Sequence, residues 1–168
     1  APEAELAANV LRFREGRAGK YADMTFNSNE APPTQHENEP NPSLEADTDG
    51  NNVPDCWKRQ NLGTTSGGWL RTTEAHTGGW AQRSRISSYT SGDRRLVVSQ
   101  DSGAGAPVAT PGRSYRVSAW YKTDSRAAFV AAYRTSMGTW LTTWAAGPDL
   151  PRSPTTYVFG EWGTPPLP

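Results

Sequence analysis

The chain has few of the residues that reactive sites commonly use. Its 168 residues include one cysteine, Cys56, and two histidines, His36 and His76. A single cysteine excludes an intrachain disulfide, and Cys56 is interpreted as a small buried hydrophobic residue. The sequence places no third group beside either histidine, so neither a histidine-based metal site nor a catalytic triad is expected.

Catalytic motifs and an excess of one charge are also missing. There is no G-x-S-x-G motif, and nothing places Glu161 opposite Asp149 as the carboxylate pair of a glycoside hydrolase. The chain is therefore predicted not to be an enzyme itself. Lys+Arg and Asp+Glu both number 17, and a neutral chain has no general attraction to nucleic acid or to an anionic membrane surface. No apolar run is long enough to span a membrane.

Tryptophan and turn-forming residues are plentiful instead. Seven residues are Trp, 16 are Gly and 14 are Pro, while hydrophobic residues make up 35% of the chain. Trp is large and carries one N–H donor, so a small core rarely uses so many of them. The composition predicts a thin core, many turns and tryptophans that serve a further purpose.

The N-terminal part has a different pattern from the rest. Leu6, Val10 and Phe13 recur at helical spacing, which predicts a short helix over residues 1–19. A stretch rich in Pro and polar residues follows and is typical of a linker. The predicted organisation is a helical tail that ends an upstream domain, a linker and a β-sandwich module, over residues 1–30, 31–42 and 43–168.

Short segments separated by Gly, Ser, Asp and Pro clusters make up the β module. Their number and spacing predict an antiparallel sandwich or barrel. The predicted strands cover residues 69–73, 79–88, 94–100, 114–122, 127–134, 139–145 and 155–161. In the clearest of them an alternation of two separates an apolar face from a polar face that carries one Trp. The apolar face contains Tyr115, Val117, Ala119 and Tyr121, and the polar face contains Arg116, Ser118, Trp120 and Lys122.

The strand over residues 139–145 places Trp140 and Trp144 on one face, together with Thr142. Two residues separated in this way lie about 7 Å apart along a strand. This distance suits adjacent stacking platforms for an extended ligand. It suits equally two rings that fill a core, and both interpretations stay open.

Four segments in order resemble a known family. They are N-P-S-L-E at 41–45, V-P-D-C-W at 53–57, A-H-T-G-G-W-A at 75–81 and P-G-R-S-Y-R-V-S-A-W-Y-K at 111–122. These segments resemble carbohydrate-binding modules of the family 4/9/22 type, as found attached to secreted actinobacterial polysaccharide-active enzymes. The resemblance implies a jelly-roll β-sandwich, an extracellular location and a non-catalytic module that tethers an enzyme to polysaccharide. Its implied partners are a polysaccharide or oligosaccharide and an upstream catalytic domain or partner chain.

Two departures from this family keep alternatives open. The family often has a second cysteine where this chain has Gly103 and Gly105, so the implied pairing with Cys56 is absent. The family also closes with strands after the segment that corresponds to 162–165, so the sandwich is expected to lack its last strand. The alternatives are a structural or assembly β-sandwich that mediates protein–protein contacts, and an accessory fragment of a glycoside hydrolase, lyase or polysaccharide deacetylase.

A sugar site needs flat aromatic platforms for C–H faces and polar groups for hydroxyls. The predicted platforms are Trp69, Trp120, Tyr133, Trp140 and Trp144. Their predicted polar partners are Arg134, Gln82 and Arg83. Trp57 and Trp80 fall on positions that the resemblance assigns to the core.

Oxygen-bearing side chains between residues 47 and 55 form a candidate calcium site. Asp47, Asp49, Asn51 and Asp55 surround Gly50, and Ca²⁺ takes six to eight oxygen ligands from flexible loops. The resemblance adds Glu45 to this set. The loop is not an EF-hand, because the twelfth position counted from Asp47 is a lysine. The alternative is an Asx-rich turn that binds no metal.

Overall fold

The structure is a computed structural model that describes residues 4–5, 10–14, 23–27, 44–98, 108–109, 111–133 and 142–168. These residues form β-strands and contain no helix, and therefore none that is long and apolar enough to cross a membrane. The strands are β1 (Ala4–Glu5), β2 (Val10–Arg14), β3 (Asp23–Asn27), β4 (Trp57–Leu62), β5 (Thr65–Thr72), β6 (Ala81–Tyr89), β7 (Asp93–Val98), β8 (Val108–Ala109), β9 (Arg116–Thr123), β10 (Arg126–Tyr133), β11 (Thr142–Ala146) and β12 (Ser153–Gly163).

The strands pair in antiparallel ladders. The first large sheet has the order β11-β10-β2-β7-β4, and the second large sheet has the order β12-β9-β3-β6-β5. A small sheet pairs β1 with β8. The predicted all-β, antiparallel class is confirmed, and each of the seven predicted strands overlaps an observed one.

The predicted N-terminal helix is wrong at the residues that the structure describes there. Val10–Arg14 is strand β2, which pairs with both β10 and β7. The segment contains a second period that favours a strand, because Leu11 and Phe13 alternate with Arg12 and Arg14. Ladder partners on both sides satisfy its backbone groups and override the helical spacing.

Strand β3 lies in the middle of the second large sheet. It pairs with β9 on one side and with β6 on the other. The pairings of β2 and β3 therefore join the N-terminal strands to those of the predicted β module. The predicted linker over 31–42 lies outside the described residues.

Buried side chains from both large sheets form one hydrophobic cluster. The second sheet contributes Ile86, Val117, Ala119 and Tyr121, and the first contributes Trp57, Leu96 and Phe129 among others. The apolar face predicted for β9 is confirmed for Val117, Ala119 and Tyr121, whereas Tyr115 precedes the strand and packs against a second cluster; the core position of Trp57, which is 4% exposed, is confirmed. Burying one such large side chain contributes about 1.5–3 kcal/mol.

Two glycines allow two turns to approach each other closely. The turn between β4 and β5 contains Gly63, and the turn between β6 and β7 contains Gly92; both have positive φ. A Cβ on Gly92 would lie 1.8 Å from the carbonyl oxygen of Leu62, and one on Gly63 would lie 2.6 Å from the Cα of Gly92. Only glycine permits this close approach of backbones. The approach brings the turn between β4 and β5 into contact with the turn between β6 and β7.

Candidate functional site

Aromatic side chains collect on the outer face of the second large sheet. Trp120 of β9 points away from the core, and its ladder partner on β12 is Phe159. The ring of His76, from the segment between β5 and β6, stacks on the Trp120 ring at 3.8 Å with an interplanar angle of 9°. Phe159 is tilted against Trp120 at 5.5 Å, and Tyr157 meets His76 edge-on at 5.7 Å. These four residues, His76, Trp120, Tyr157 and Phe159, are called the outer aromatic cluster below.

Charged groups border this cluster on one side. The Nζ of Lys122 forms an ion pair with Oε1 of Glu74 and lies 4.9 Å from the centroid of the Tyr157 ring. The hydroxyl of Tyr157 donates a hydrogen bond to the carbonyl oxygen of Glu74 at 2.6 Å. These contacts hold the segment that carries His76 over the sheet and place an ammonium and a carboxylate beside the rings.

Two properties make the outer aromatic cluster able to receive a ligand. The side chain of Phe159 is 47% exposed, which is unusual for a ring of its size. The indole Nε1 of Trp120 is buried and has no hydrogen-bond partner among the described residues. The cluster thus combines an exposed apolar ring with a buried indole N–H that has no partner among the described residues.

Trp69, another predicted platform, lies in a different place. It packs against the hydrophobic cluster between the two large sheets. Its Nε1 donates a hydrogen bond to Oδ1 of Asn61 at 2.8 Å, and the guanidinium of Arg59 lies 5.9 Å from its ring centroid. The contact spans from β5 to β4, so Trp69 closes the gap between the edges of the two sheets.

Tyr133 and Trp144 are brought together at the other end of the first large sheet. Their ring centroids are 6.0 Å apart, and the Nε1 of Trp144 donates to the carbonyl oxygen of Pro165 at 3.3 Å. Both rings pack against a small buried cluster that contains Leu167. The two rings therefore contact the C-terminal residues. Trp140 and Arg134 lie outside the described residues.

The predicted polar partners of the platforms lie on opposite faces of β6. Gln82 is 1% exposed, and its Oε1 accepts a hydrogen bond from Nε of Arg59 at 2.9 Å, so its side chain points into the interior. Arg83 lies on the outer face, where its ladder partner Leu70 is 53% exposed. Arg83 thus shares a sheet face with the outer aromatic cluster, and Gln82 does not.

The acidic loop brings together the three aspartates of the predicted metal site, and Nδ2 of Asn51 donates to Oδ2 of Asp49 at 3.0 Å. Carboxylate oxygens of Asp47, Asp49 and Asp55 lie within 4.8 Å of one another. They also accept hydrogen bonds from the loop itself: Asp47 Oδ2 from the backbone N–H of Asn52 at 2.9 Å, and Asp55 Oδ1 from that of Thr48 at 3.1 Å. The arrangement combines an Asx-type turn with a group of anionic oxygens spaced closely enough to share a cation.

Electrostatics keep Asp47 ionised. Desolvation raises the pKa of Asp47, but the backbone N–H of Asn52, a side-chain hydrogen bond with Asp49, the backbone N–H of Asn51 and the charge of Arg71 together lower it by more. The pKa of this carboxyl group therefore lies below its ordinary value of 3.8. A carboxylate in this state is available as a ligand for a cation at neutral pH.

The remaining two predicted ligands have other contacts. Oε1 of Glu45 accepts the backbone N–H groups of Gly79 at 2.9 Å and Trp80 at 3.1 Å. Oδ1 of Asn51 accepts the N–H of Val53 at 2.8 Å. Glu45 therefore connects the acidic loop to the segment before β6. The ring of Trp80 is half-buried with the guanidinium of Arg71 4.0 Å from its centroid, so a cation covers it.

Several residues of the outer aromatic cluster were not among the predicted platforms. Tyr157 and Phe159 lie two apart in the predicted strand over 155–161, so their shared face was readable from the period of a strand. The stacking of His76 on Trp120 was not readable, because 44 positions separate the two residues in the chain.

No protein-family model, curated protein or solved structure matches this chain. The interpretation of its function therefore depends on the geometry of the sites and on the resemblance carried by its sequence segments.

Proposed function

We propose that the chain is a non-catalytic polysaccharide-binding module with a jelly-roll β-sandwich fold, which tethers a secreted enzyme to its substrate. The observation that carries this proposal is the outer aromatic cluster, in which the exposed ring of Phe159 lies beside Trp120 on the outer face of a sheet. The hydrophobic cluster common to both large sheets supports the sandwich. The module would raise the local concentration of substrate for an attached enzyme.

The chemistry of the cluster suits a sugar ring. A pyranose presents an apolar C–H face to an aromatic ring and hydroxyl groups at its edge. Phe159 supplies the accessible face, and Trp120 supplies a buried N–H without a partner among the described residues. Lys122 and Glu74 add a donor and an acceptor at the border. A ring contact of this kind, together with one or two hydrogen bonds, is worth several kcal/mol in a desolvated pocket.

Affinity electrophoresis in gels that contain a panel of soluble polysaccharides tests this proposal. We expect retardation of the unmodified chain in at least one gel, and a loss of affinity of about tenfold or more in Phe159→Ala and Trp120→Ala. Leu62→Ala is the matched control, since Leu62 is 39% exposed on the first large sheet, away from the cluster. If both cluster variants are retarded as strongly as Leu62→Ala, the outer aromatic cluster is not the sugar site.

A second candidate function is assembly with another protein chain. Phe159 and Leu70 are both exposed and belong to opposite edges of the second large sheet, an arrangement that also fits an apolar protein contact. In that case Phe159→Ala would lower the molecular mass measured by light scattering without changing retardation by any polysaccharide. The two measurements on the same samples separate the candidates.

The proposal includes a structural Ca²⁺ in the acidic loop. The spacing of the Asp47, Asp49 and Asp55 oxygens fits an ion with ligand distances of about 2.3–2.6 Å. We expect calcium to raise the midpoint of thermal unfolding relative to EDTA, and Asp49→Asn to remove most of the rise. Asp149→Asn is the control, because Asp149 pairs with Arg126 outside the loop. An equal midpoint in calcium and EDTA would show that the loop is a metal-free Asx turn.

A further inference from the structure

A layer of polar side chains lies between the two large sheets near their β4 and β5 edges. Arg94 of β7 is the ladder partner of Asn61 on β4, and Ser84 of β6 is the ladder partner of Trp69 on β5. Directly paired residues of an antiparallel ladder lie on the same face of a sheet. Because Asn61 accepts the hydrogen bond of Trp69, the four residues lie on the facing sides of the two sheets, with the exposed Asn61 at the solvent edge of the layer.

Arg94 is buried there, and none of the described residues provides it with a counter-charge. The residue is 4% exposed, its Nε is buried without a hydrogen-bond partner, and its guanidinium forms no ion pair within the part of the chain that the structure describes. Its neighbour Arg95 also has a buried Nε without a partner among the described residues, but its guanidinium forms a salt bridge with Asp93 at 3.2 Å. Burial lowers the pKa of the Arg94 guanidinium, and no neighbouring carboxylate opposes the effect.

An isolated guanidinium in this position is costly. Arginine keeps its proton under ordinary conditions, so it cannot escape the cost of desolvation by becoming neutral. An unpaired buried ion destabilises the folded chain, even after relaxation of the surrounding protein. A counter-charge close to Arg94 would remove most of this cost.

The amide oxygens in this layer already accept hydrogen bonds from other residues, and a second buried donor lies near Arg94. Asn61 is engaged by Trp69, and Gln82 is engaged by Arg59. The Oγ of Ser84 is buried and also has no partner among the described residues. An acceptor that carries negative charge would satisfy both the guanidinium and the hydroxyl.

We propose that a small monovalent anion binds between the sheets beside Arg94, with the hydroxyl of Ser84 as a second donor. The site is separate from the outer aromatic cluster, because it lies on the opposite face of the second large sheet. Its ligand is recognised by charge and size, and chloride and acetate are suitable probes of it. Binding would stabilise the folded chain in proportion to the logarithm of anion concentration above the dissociation constant.

Chloride binding can be measured directly on the full chain by the line width of the ³⁵Cl resonance. We expect the unmodified chain to broaden this resonance and acetate to reverse the broadening by competition. Arg94→Met should lose the broadening, and Ser84→Ala should weaken chloride binding several-fold. Arg95→Met is the matched control, since it removes the adjacent arginine of the same strand whose charge is already paired, and it should keep the broadening.

Thermal unfolding provides a second readout. At chloride concentrations well above the dissociation constant, the unfolding midpoint of the unmodified chain and of Arg95→Met should rise by a few degrees more than that of Arg94→Met. Non-specific salt effects would shift all three midpoints equally. If Arg94→Met does not fold, Ser84→Ala and the competition with acetate still test the proposed anion site. Equal broadening in Ser84→Ala and the unmodified chain, without competition by acetate, would overturn the proposal, as would an absence of broadening in the unmodified chain.

Discussion

Trp120 and Tyr121 are adjacent in the chain, yet the two faces of strand β9 give them opposite surroundings. Tyr121 points into the core, is 1% exposed, and donates its hydroxyl hydrogen bond to the carbonyl oxygen of Pro151 at 2.7 Å. Trp120 points outward, is covered on one side by His76, and has a buried N–H without a partner among the described residues. On the inner face of β9 the Tyr121 hydroxyl is therefore hydrogen-bonded, whereas on the outer face the Trp120 N–H has no described partner.

A comparison of Trp120 with Trp69 leads to the same conclusion. Both were predicted as platforms, and both are only partly exposed. Trp69 lies on the inner face of its sheet and has its N–H bonded to Asn61, so it stabilises the junction of the two sheets. Exposure alone does not distinguish Trp69 from Trp120, but the face of the strand and the hydrogen bonding of the indole N–H do.

The largest expected effect is a difference in the loss of stability between variants on the two faces of β9. Tyr121→Ala should lower the free energy of unfolding by about 3–5 kcal/mol, because it leaves a cavity in the core. Trp120→Ala should lower it by less than about 2 kcal/mol, since one side of the residue is open to the outer face. Urea unfolding followed by circular dichroism measures both values. Equal losses would contradict the assignment of the two faces.

A smaller effect is expected at the glycine that faces Tyr121 from β12. A Cβ on Gly160 would lie 2.7 Å from Cε1 of Tyr121, whereas a Cβ on Gly163 would meet nothing within 4 Å. Gly160→Ala should therefore destabilise the chain by about 1–3 kcal/mol through overpacking. Gly163→Ala lies on the same strand and should be close to neutral. The comparison fails if the two variants unfold at the same urea concentration.

The smallest effect concerns pH. Burial raises the pKa of Tyr121 above its ordinary value of 10.0. The phenol therefore ionises more readily in the unfolded chain than in the folded chain, so its contribution to stability is complete below pH 10 and is lost as the pH rises beyond it. Urea unfolding on either side of about pH 10 should show this decline. In Tyr121→Phe the decline should be shallower, and an unchanged slope would show that other groups cause it.

Much of the β-sheet structure was predictable from local pattern. Alternation over 114–122 assigned the faces of β9 correctly, because the period of a strand dictates which side chains share a face. Strand β2 was not predictable in the same way. Its residues carry both a helical and a strand period, and the two neighbouring strands that decide between them come from distant parts of the chain.

The candidate sites show the same difference between local patterns and contacts over long distances in the chain. The three aspartates of the acidic loop lie within nine positions of one another, so their proximity followed from the sequence. Glu45 does not belong to that group, because its carboxylate accepts the backbone N–H groups of Gly79 and Trp80, more than 30 positions away. Local spacing can bring ligands together, but it cannot show which distant donors compete for them.

By itself the sequence determined the all-β class, the faces of β9 and the acidic loop, since each of these follows from a short repeat or a short loop. The tertiary structure decided which tryptophan closes the gap between the sheets, that His76 covers Trp120, and that Arg94 lies buried without a described counter-charge. These features depend on pairing and packing between segments far apart in the chain. Such contacts are selected by the free energy of the whole fold and leave no local pattern.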